Sequence, residues 1–117
     1  MSLSHSLDHG VLVITVRHDP GSAGRAELLS LFEGLVHAHK PAPVVVVLEE
    51  PAADGVAVGV LLRVHRICRE LGVLMSVASC SAPTRRVLQA QADTTGAHLV
   101  IHARTDTAVA AAFAAAA

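Results

Sequence analysis

The segment "VVVVLEEPAADGVAVGVLLRVHR", residues 44–66, decides the fold of this chain. It begins with the run "VVVVL", whose β-branched residues favour a strand that is apolar on both faces. Two acids and a proline end the run, and a loop containing Asp54 and Gly55 follows. A helix then begins near Val56, with apolar residues on one side and arginines on the other. The segment therefore predicts a buried central strand of an α/β sheet, followed by an amphipathic helix.

The composition of the chain also favours a single α/β domain. Its 117 residues suffice for one core, and 52% of them are hydrophobic although only 2% are aromatic. Such a core is built from Val, Leu, Ile and Ala, as in a sheet covered by helices. The formal net charge of −1 gives no bulk electrostatic basis for binding nucleic acid or an anionic membrane. No signal peptide or membrane-spanning run is recognisable, so the predicted compartment is the cytoplasm.

The elements predicted on either side of residues 44–48 alternate between strands and helices. Strands are predicted at 11–16, 72–79 and 98–102, with residues 3–9 as an edge strand. Helices are predicted at 21–40, 56–71, 82–92 and 106–117, with N-caps at Ser22, at Ser81 and at Thr105 or Asp106. The resulting order is β, α, β, α, β, α, β, α, in a mostly parallel or mixed sheet. One domain spans residues 1–117, of which 1–3 are compatible with a cloning scar.

Residue types that carry catalysis are present, but not in a recognisable arrangement. The segment "GVAVG" has Ala57 where a nucleophile elbow would have serine. No phosphate-binding glycine motif occurs. His37 and His39 diverge on a helix, and His98 and His102 are too far apart along a strand to share one ion. The sequence therefore predicts no enzyme activity, no metal and no cofactor.

The cysteines and the charged residues have simpler interpretations. Cys68 and Cys80 are predicted to be small buried thiols, not a disulfide. The neighbouring carboxylates Glu49 and Glu50 point to opposite sides of a strand end and do not form an acid–base pair. A basic ridge is predicted on the second helix, where arginines recur at spacings of three: Arg63, Arg66 and Arg69. This ridge is either a solvated face or a strip for an acidic protein partner.

The segments "DGVAVGVLLRVHRICRELGVLM" and "SCSAPTRRVL" resemble the STAS domain family, the anti-sigma factor antagonists of bacterial regulation. The order of elements agrees over nearly the whole chain. In that family a strand ends in a loop written Asp-Ser-Ser-Gly or Asp-Ser-Thr-Gly. A helix of the "LLRLHRRARAAGG" type follows, and later a turn written "SPAVRRVL". The resemblance implies a STAS-like fold and a regulatory protein of the bacterial cytoplasm.

The resemblance also implies a docking site at the start of the second helix. Asp54 matches the family Asp, and Ala57 matches the family Gly. Gly55 and Val56 match the two hydroxyl positions, of which the second is phosphorylated by a partner kinase in regulated members. Val56 therefore implies docking without a phosphoserine switch. The alternative acceptors, should the switch have moved, are Ser79, Ser81 and Thr84.

Two segments depart from the family pattern. Residues 89–97 lack the usual Thr-Gly-Leu, and the first helix is preceded by extra residues in "RHDPGSAGRAEL". Ser81, Arg85 and Arg86 match the turn and the start of the third helix of the family. These departures weaken the inference of partner contacts near them.

The partner implied by the resemblance is an anti-sigma factor of the histidine-kinase-like ATPase type. No nucleic acid, membrane, metal or cofactor is expected, and the chain is expected to be a monomer or a weak homodimer. The implied partner-binding residues are Asp54, Gly55, Val56, Ala57, Arg63 and Arg66. Two alternatives remain open, a small α/β enzyme using Cys80 or a histidine, and a STAS-like scaffold or self-associating module unrelated to sigma factors.

Overall fold

The computed structural model describes residues 3–18, 21–49 and 55–116. Its strands are β1 (Leu3–Asp8), β2 (Val11–Val16), β3 (Val44–Leu48), β4 (Met75–Ala78) and β5 (Val100–His102). Its helices are α1 (Gly21–His39), α2 (Val56–Leu71), α3 (Ala82–Thr95) and α4 (Thr105–Ala116). The strands form one sheet in the order β1-β2-β3-β4-β5. The predicted α/β class with a mixed sheet is confirmed.

The sheet has one antiparallel edge and is otherwise parallel. β1 pairs antiparallel with β2, which confirms the predicted edge strand, while β2, β3, β4 and β5 run parallel. α1, α2 and α3 lie on one face of the sheet, where all three contribute residues to the main core. α4 follows the last strand and packs on the opposite face, against β2 to β5. Both faces of the central strands are therefore covered.

Strand β3 is central in the sheet, as predicted from its apolar residues. Val44, Val45, Val46 and Leu48 are each at most 1% exposed. Val46 and Leu48 belong to the main core beneath α1, α2 and α3, whereas Val45 belongs to a smaller core beneath α4. The two cores alternate along the strand because successive side chains point to opposite faces. A run that is apolar at every position is thus required here.

The ends of several elements differ from the prediction. α1 begins at Gly21, so Ser22 lies inside its first turn and is not the N-cap. In α4 the Ala108 N–H donates to the Arg104 carbonyl at 3.1 Å, which makes Arg104 the N-cap in place of Thr105 or Asp106. The strands predicted at 72–79 and 98–102 pair over shorter ranges, 75–78 and 100–102. Leu74 and Ser79 lie just outside β4 but still bond the neighbouring strands, since the Leu74 carbonyl accepts from the Val44 N–H at 2.8 Å and the Ser79 N–H donates to the His102 carbonyl at 3.0 Å.

Candidate functional site

The candidate site is centred on the α2 tip, which we define as Gly55, Val56 and Ala57. Gly55 is the N-cap of α2, and its carbonyl accepts the first helical hydrogen bond from the Gly59 N–H at 3.2 Å. Its dihedral angles, φ 51° and ψ −93°, lie in a region that only glycine adopts readily. Asp54 and Glu50 lie outside the described residues. Position 55, which the resemblance aligns with the first hydroxyl of the STAS motif, therefore favours glycine.

The three residues of the α2 tip differ in their exposure to solvent. Gly55 is exposed and Val56 is half-buried, packed against the main core. Ala57, which is also a predicted partner-binding residue, is only 1% exposed, so its side chain is covered by the rest of the fold. Small size at this position serves the packing of α2 on the sheet.

Further along α2, exposed residues form one continuous strip. Gly55, Gly59, Arg63 and Arg66 are all exposed. At 100° per residue these four positions fall within one quarter of the helix circumference. We call this strip the α2 outer face. Its first half consists of glycines, which expose the backbone, and its second half consists of arginines, which carry positive charge.

Two glycines of the α2 outer face should respond oppositely to substitution by alanine. Neither added Cβ would meet a described atom within 4 Å, so the outcome depends on backbone conformation alone. Gly55→Ala forces an L-residue into the positive-φ region and should destabilise the fold by about 1–3 kcal/mol. Gly59→Ala replaces glycine in an exposed helical turn and should stabilise it by about 0.5–1 kcal/mol. Urea unfolding of both variants measures the difference, and equal signs would contradict this geometry.

The hydroxyls proposed as alternative phosphorylation sites lie at the start of α3. Ser79 and Thr84 are 2% and 3% exposed, so a kinase does not reach them in the folded domain. Ser81 is half-buried, and its Oγ accepts a hydrogen bond from the Thr84 N–H at 3.4 Å. The predicted N-cap at Ser81 is confirmed. The Arg85 guanidinium donates to the Ser79 carbonyl at 2.8 Å and ties α3 to the end of β4.

The two cysteines lie in different environments, and neither is in a disulfide. Cys68 is buried in α2, and its burial raises the pKa of the thiol to about 11, which keeps it protonated and unreactive. Cys80 is exposed just beyond β4, so the prediction of two buried thiols is wrong for this residue. Within the described ranges Cys80 forms no hydrogen bond with a histidine or an acid. The arrangement does not activate a nucleophile.

The remaining candidate residues are dispersed over the molecule. Glu49 follows β3 and pairs with Arg17 at 3.8 Å, where both side chains are about half exposed. His39 bonds the Leu35 carbonyl through Nδ1 at 2.9 Å, and its ring meets His5 at 6.0 Å. The part of the chain that the structure describes holds no group of three or more residues suited to a metal ion. None of its helices is long and apolar enough to cross a membrane.

Sequence reasoning missed His65, which lies on the buried side of α2 and is 6% exposed. Burial lowers the pKa of its imidazole, and the positive charges of Arg69 and His98 lower it further. The signal was available, because His65 follows the core residue Leu61 by four positions. It was overlooked because histidine is seldom assigned to a core face.

The lowered pKa of His65 predicts a dependence of stability on pH. Its folded pKa lies below the unfolded value near 6.5, so the unfolded chain takes up the proton first as the pH falls. The stability associated with neutral His65 is complete above pH 6.5 and is lost as the pH falls through the folded pKa. Denaturant unfolding from pH 7.5 to 5 should therefore show a smaller loss for His65→Gln than for the wild type. Equal losses would contradict the assignment.

Comparison with known proteins identifies no relative of this chain. No family model matches the chain, and no match was found among curated proteins or solved structures. The fold and the site define a small α/β domain whose second helix presents a glycine and arginine face to solvent.

Proposed function

We propose that this chain is a STAS-like regulatory domain of the bacterial cytoplasm that binds an anti-sigma factor of the histidine-kinase-like ATPase type. The observation that carries the proposal is the α2 outer face. Exposed Gly55 and Gly59 allow the backbone of a partner to approach α2 closely, and Val56 offers a partly exposed apolar contact beside them. Arg63 and Arg66 continue the same strip and favour an acidic segment of that partner.

The architecture supports the same proposal. A five-stranded mixed sheet with three helices on one face agrees with the element order that the STAS resemblance implies. The α2 tip lies just beyond the carboxyl end of the central strand, where α/β proteins present their functional loops. The residues of the α2 tip are suited to binding a partner and not to catalysis. The tip contains only glycine, valine and alanine, and none of these transfers a proton or attacks a substrate.

Binding at the α2 tip is proposed to be constitutive. The position of the family's phosphorylated hydroxyl is Val56, which accepts no phosphate. The side chains of Ser79 and Thr84 are shielded, and Ser81 caps α3. A partner kinase therefore has no exposed, uncommitted hydroxyl among these four positions. The domain is proposed to act as a monomer or a weak homodimer with its partner bound.

Incubation with the kinase-like partner and ATP should leave the α2 tip unmodified. Mass-spectrometric mapping should find no phosphate at residues 55–57 and none at Ser79, Ser81 or Thr84. The complex should persist through the incubation, because no new charge enters the interface. Val56→Ser is the matched variant, since it restores a hydroxyl at the family position and should acquire phosphate. Phosphate at Ser81 of the wild type, with loss of the complex, would show that the switch has moved.

A further inference from the structure

A second surface feature overlaps the α2 outer face, with which it shares Arg63 and Arg66, and extends toward the end of α2. We call it the basic groove. It is a cavity of about 320 Å³ to which α1 contributes Arg25 and α2 contributes Arg63, Arg66 and Arg69. The end of α3 and the residues after it, 95–97, form the remaining wall. Four guanidinium-bearing side chains from two helices thus meet at one depression, although the chain as a whole has a net charge of −1.

The positive charge of the basic groove is hardly compensated. Arg66 pairs with Glu70 at 3.6 Å, but both side chains are more than 60% exposed and the pair is weak. Arg25, Arg63 and Arg69 form no ion pair with any acid in the ranges 3–18, 21–49 and 55–116. Three or more cationic groups facing one depression repel one another. Such an arrangement is relieved when an anion binds between them.

His65 supplies a neutral polar group to the same cavity. It lines the basic groove, and its ring makes no hydrogen bond within the described part of the chain. No buried side-chain nitrogen or oxygen there lacks a partner, so a ring nitrogen of His65 must reach the surface of the groove. Burial is the main cause that lowers the pKa of His65, and the nearby Arg69 and His98 lower it further, in agreement with the cationic lining of the groove. A bound anion would be attracted by the positive potential of the arginines and could accept a hydrogen bond from the imidazole of His65.

The end of α3 borders the basic groove, and two of its last four carbonyls are bonded. The Gly96 N–H donates to the Asp93 carbonyl and the Ala97 N–H donates to the Ala92 carbonyl, at 3.2 and 2.9 Å. These bonds reduce the negative potential of the helix end. The half-buried residues Leu62 and Ala97 add an apolar patch to the lining. The cavity therefore combines a cationic rim with a small apolar surface.

We propose that the basic groove binds a compound that carries two or more phosphate groups. Arginine presents a planar fork that bonds two oxygens of a phosphate at once, and it stays charged at every physiological pH. Along α2 the arginines recur every three residues, about 4.5 Å of rise, so neighbouring guanidiniums serve neighbouring phosphates. A volume of about 320 Å³ is at the small end of the range for ligand pockets and suits a compact molecule better than an extended acidic peptide. This site goes beyond the proposed function and does not require the partner.

Tripolyphosphate is the probe that tests the proposal on the free domain. Calorimetric titration in low salt should show saturable binding of one tripolyphosphate per chain, weakening as salt is added. Arg63→Gln and Arg69→Gln should each weaken binding at least tenfold. Arg86→Gln is the matched control, because Arg86 is exposed on α3 outside the groove and its loss should change affinity less than twofold. Nuclear magnetic resonance should show the pKa of His65 rising on binding, since an anion beside imidazole favours its protonated form.

Further titrations distinguish the source of the phosphates. Vesicles with a bisphosphorylated lipid headgroup should compete with tripolyphosphate if the ligand is a lipid, and should fail to compete if it is a soluble compound. A glutamate-rich peptide should bind more weakly than tripolyphosphate at equal charge. The proposal is overturned if tripolyphosphate does not saturate at millimolar concentration, if the groove variants bind like the control, or if the peptide binds more tightly. If Val56→Asp leaves partner binding unchanged while tripolyphosphate still binds the groove, the proposed function is wrong and the proposal for the basic groove stands.

Discussion

Phe32→Ala should destabilise the domain by about 3–5 kcal/mol, one of the largest effects of any single substitution in this chain. Phe32 is fully buried in the main core, where α1 packs on the sheet. The chain contains only two phenylalanines and no tyrosine or tryptophan. A core of Val, Leu and Ala has short side chains, which refill the lost volume poorly. The cavity that remains accounts for the upper part of this range.

The second phenylalanine provides the matched control. Phe113 lies on α4 and is 52% exposed, and its ring meets His9 edge-on with centroids 6.2 Å apart. Phe113→Ala removes the same atoms but leaves no enclosed cavity, so it should cost about 1 kcal/mol or less. Denaturant unfolding of both variants measures the pair. A cost at Phe113 equal to that at Phe32 would mean that α4 is packed far more tightly than the structure shows.

Elements that are determined by the local pattern of residues within them could be predicted from the sequence. The run 44–48 is apolar at every position, and only a strand covered on both faces requires that. Ser81 is followed by a proline in the first helical turn, and it caps α3 as predicted. The exposed arginines of α2 lie off its apolar stripe, as helical periodicity predicts.

Features that depend on tertiary neighbours could not be predicted. Arg25 belongs to α1 and joins the arginines of α2 only because α1 and α2 pack side by side on one face of the sheet. The exposure of Cys80 just beyond β4 and the burial of Ala57 in the first turn of α2 depend on how the neighbouring elements pack. Ser22 was assigned as a cap because it precedes an apolar helical pattern, but the helix begins at Gly21. Gly21 has φ 69°, a conformation that favours glycine, and it is the first residue of α1.

Val56→Asp should weaken binding of the proposed anti-sigma partner by about 100-fold, which corresponds to about 2.7 kcal/mol. Val56 is the only apolar side chain of the α2 tip that reaches solvent, and a partner that covers it would have to bury the new charge. The fold itself should be little affected. An acid in the first turn of α2 interacts favourably with the positive end of the helix dipole, which offsets part of the lost apolar contact. Unfolding measurements should therefore place the variant within about 1 kcal/mol of the wild type.

Val87→Asp is the control for this substitution. Val87 is 45% exposed on α3, and the exchange adds the same charge away from the α2 tip. Affinities of the wild type and both variants for the partner, measured by surface plasmon resonance, separate a local effect from a general effect of charge. The expected result is a large loss for Val56→Asp and a loss of less than about 0.5 kcal/mol for Val87→Asp. If both variants bind like the wild type, the α2 tip is not the interface, because no partner covering Val56 would accept a buried carboxylate without a cost in affinity.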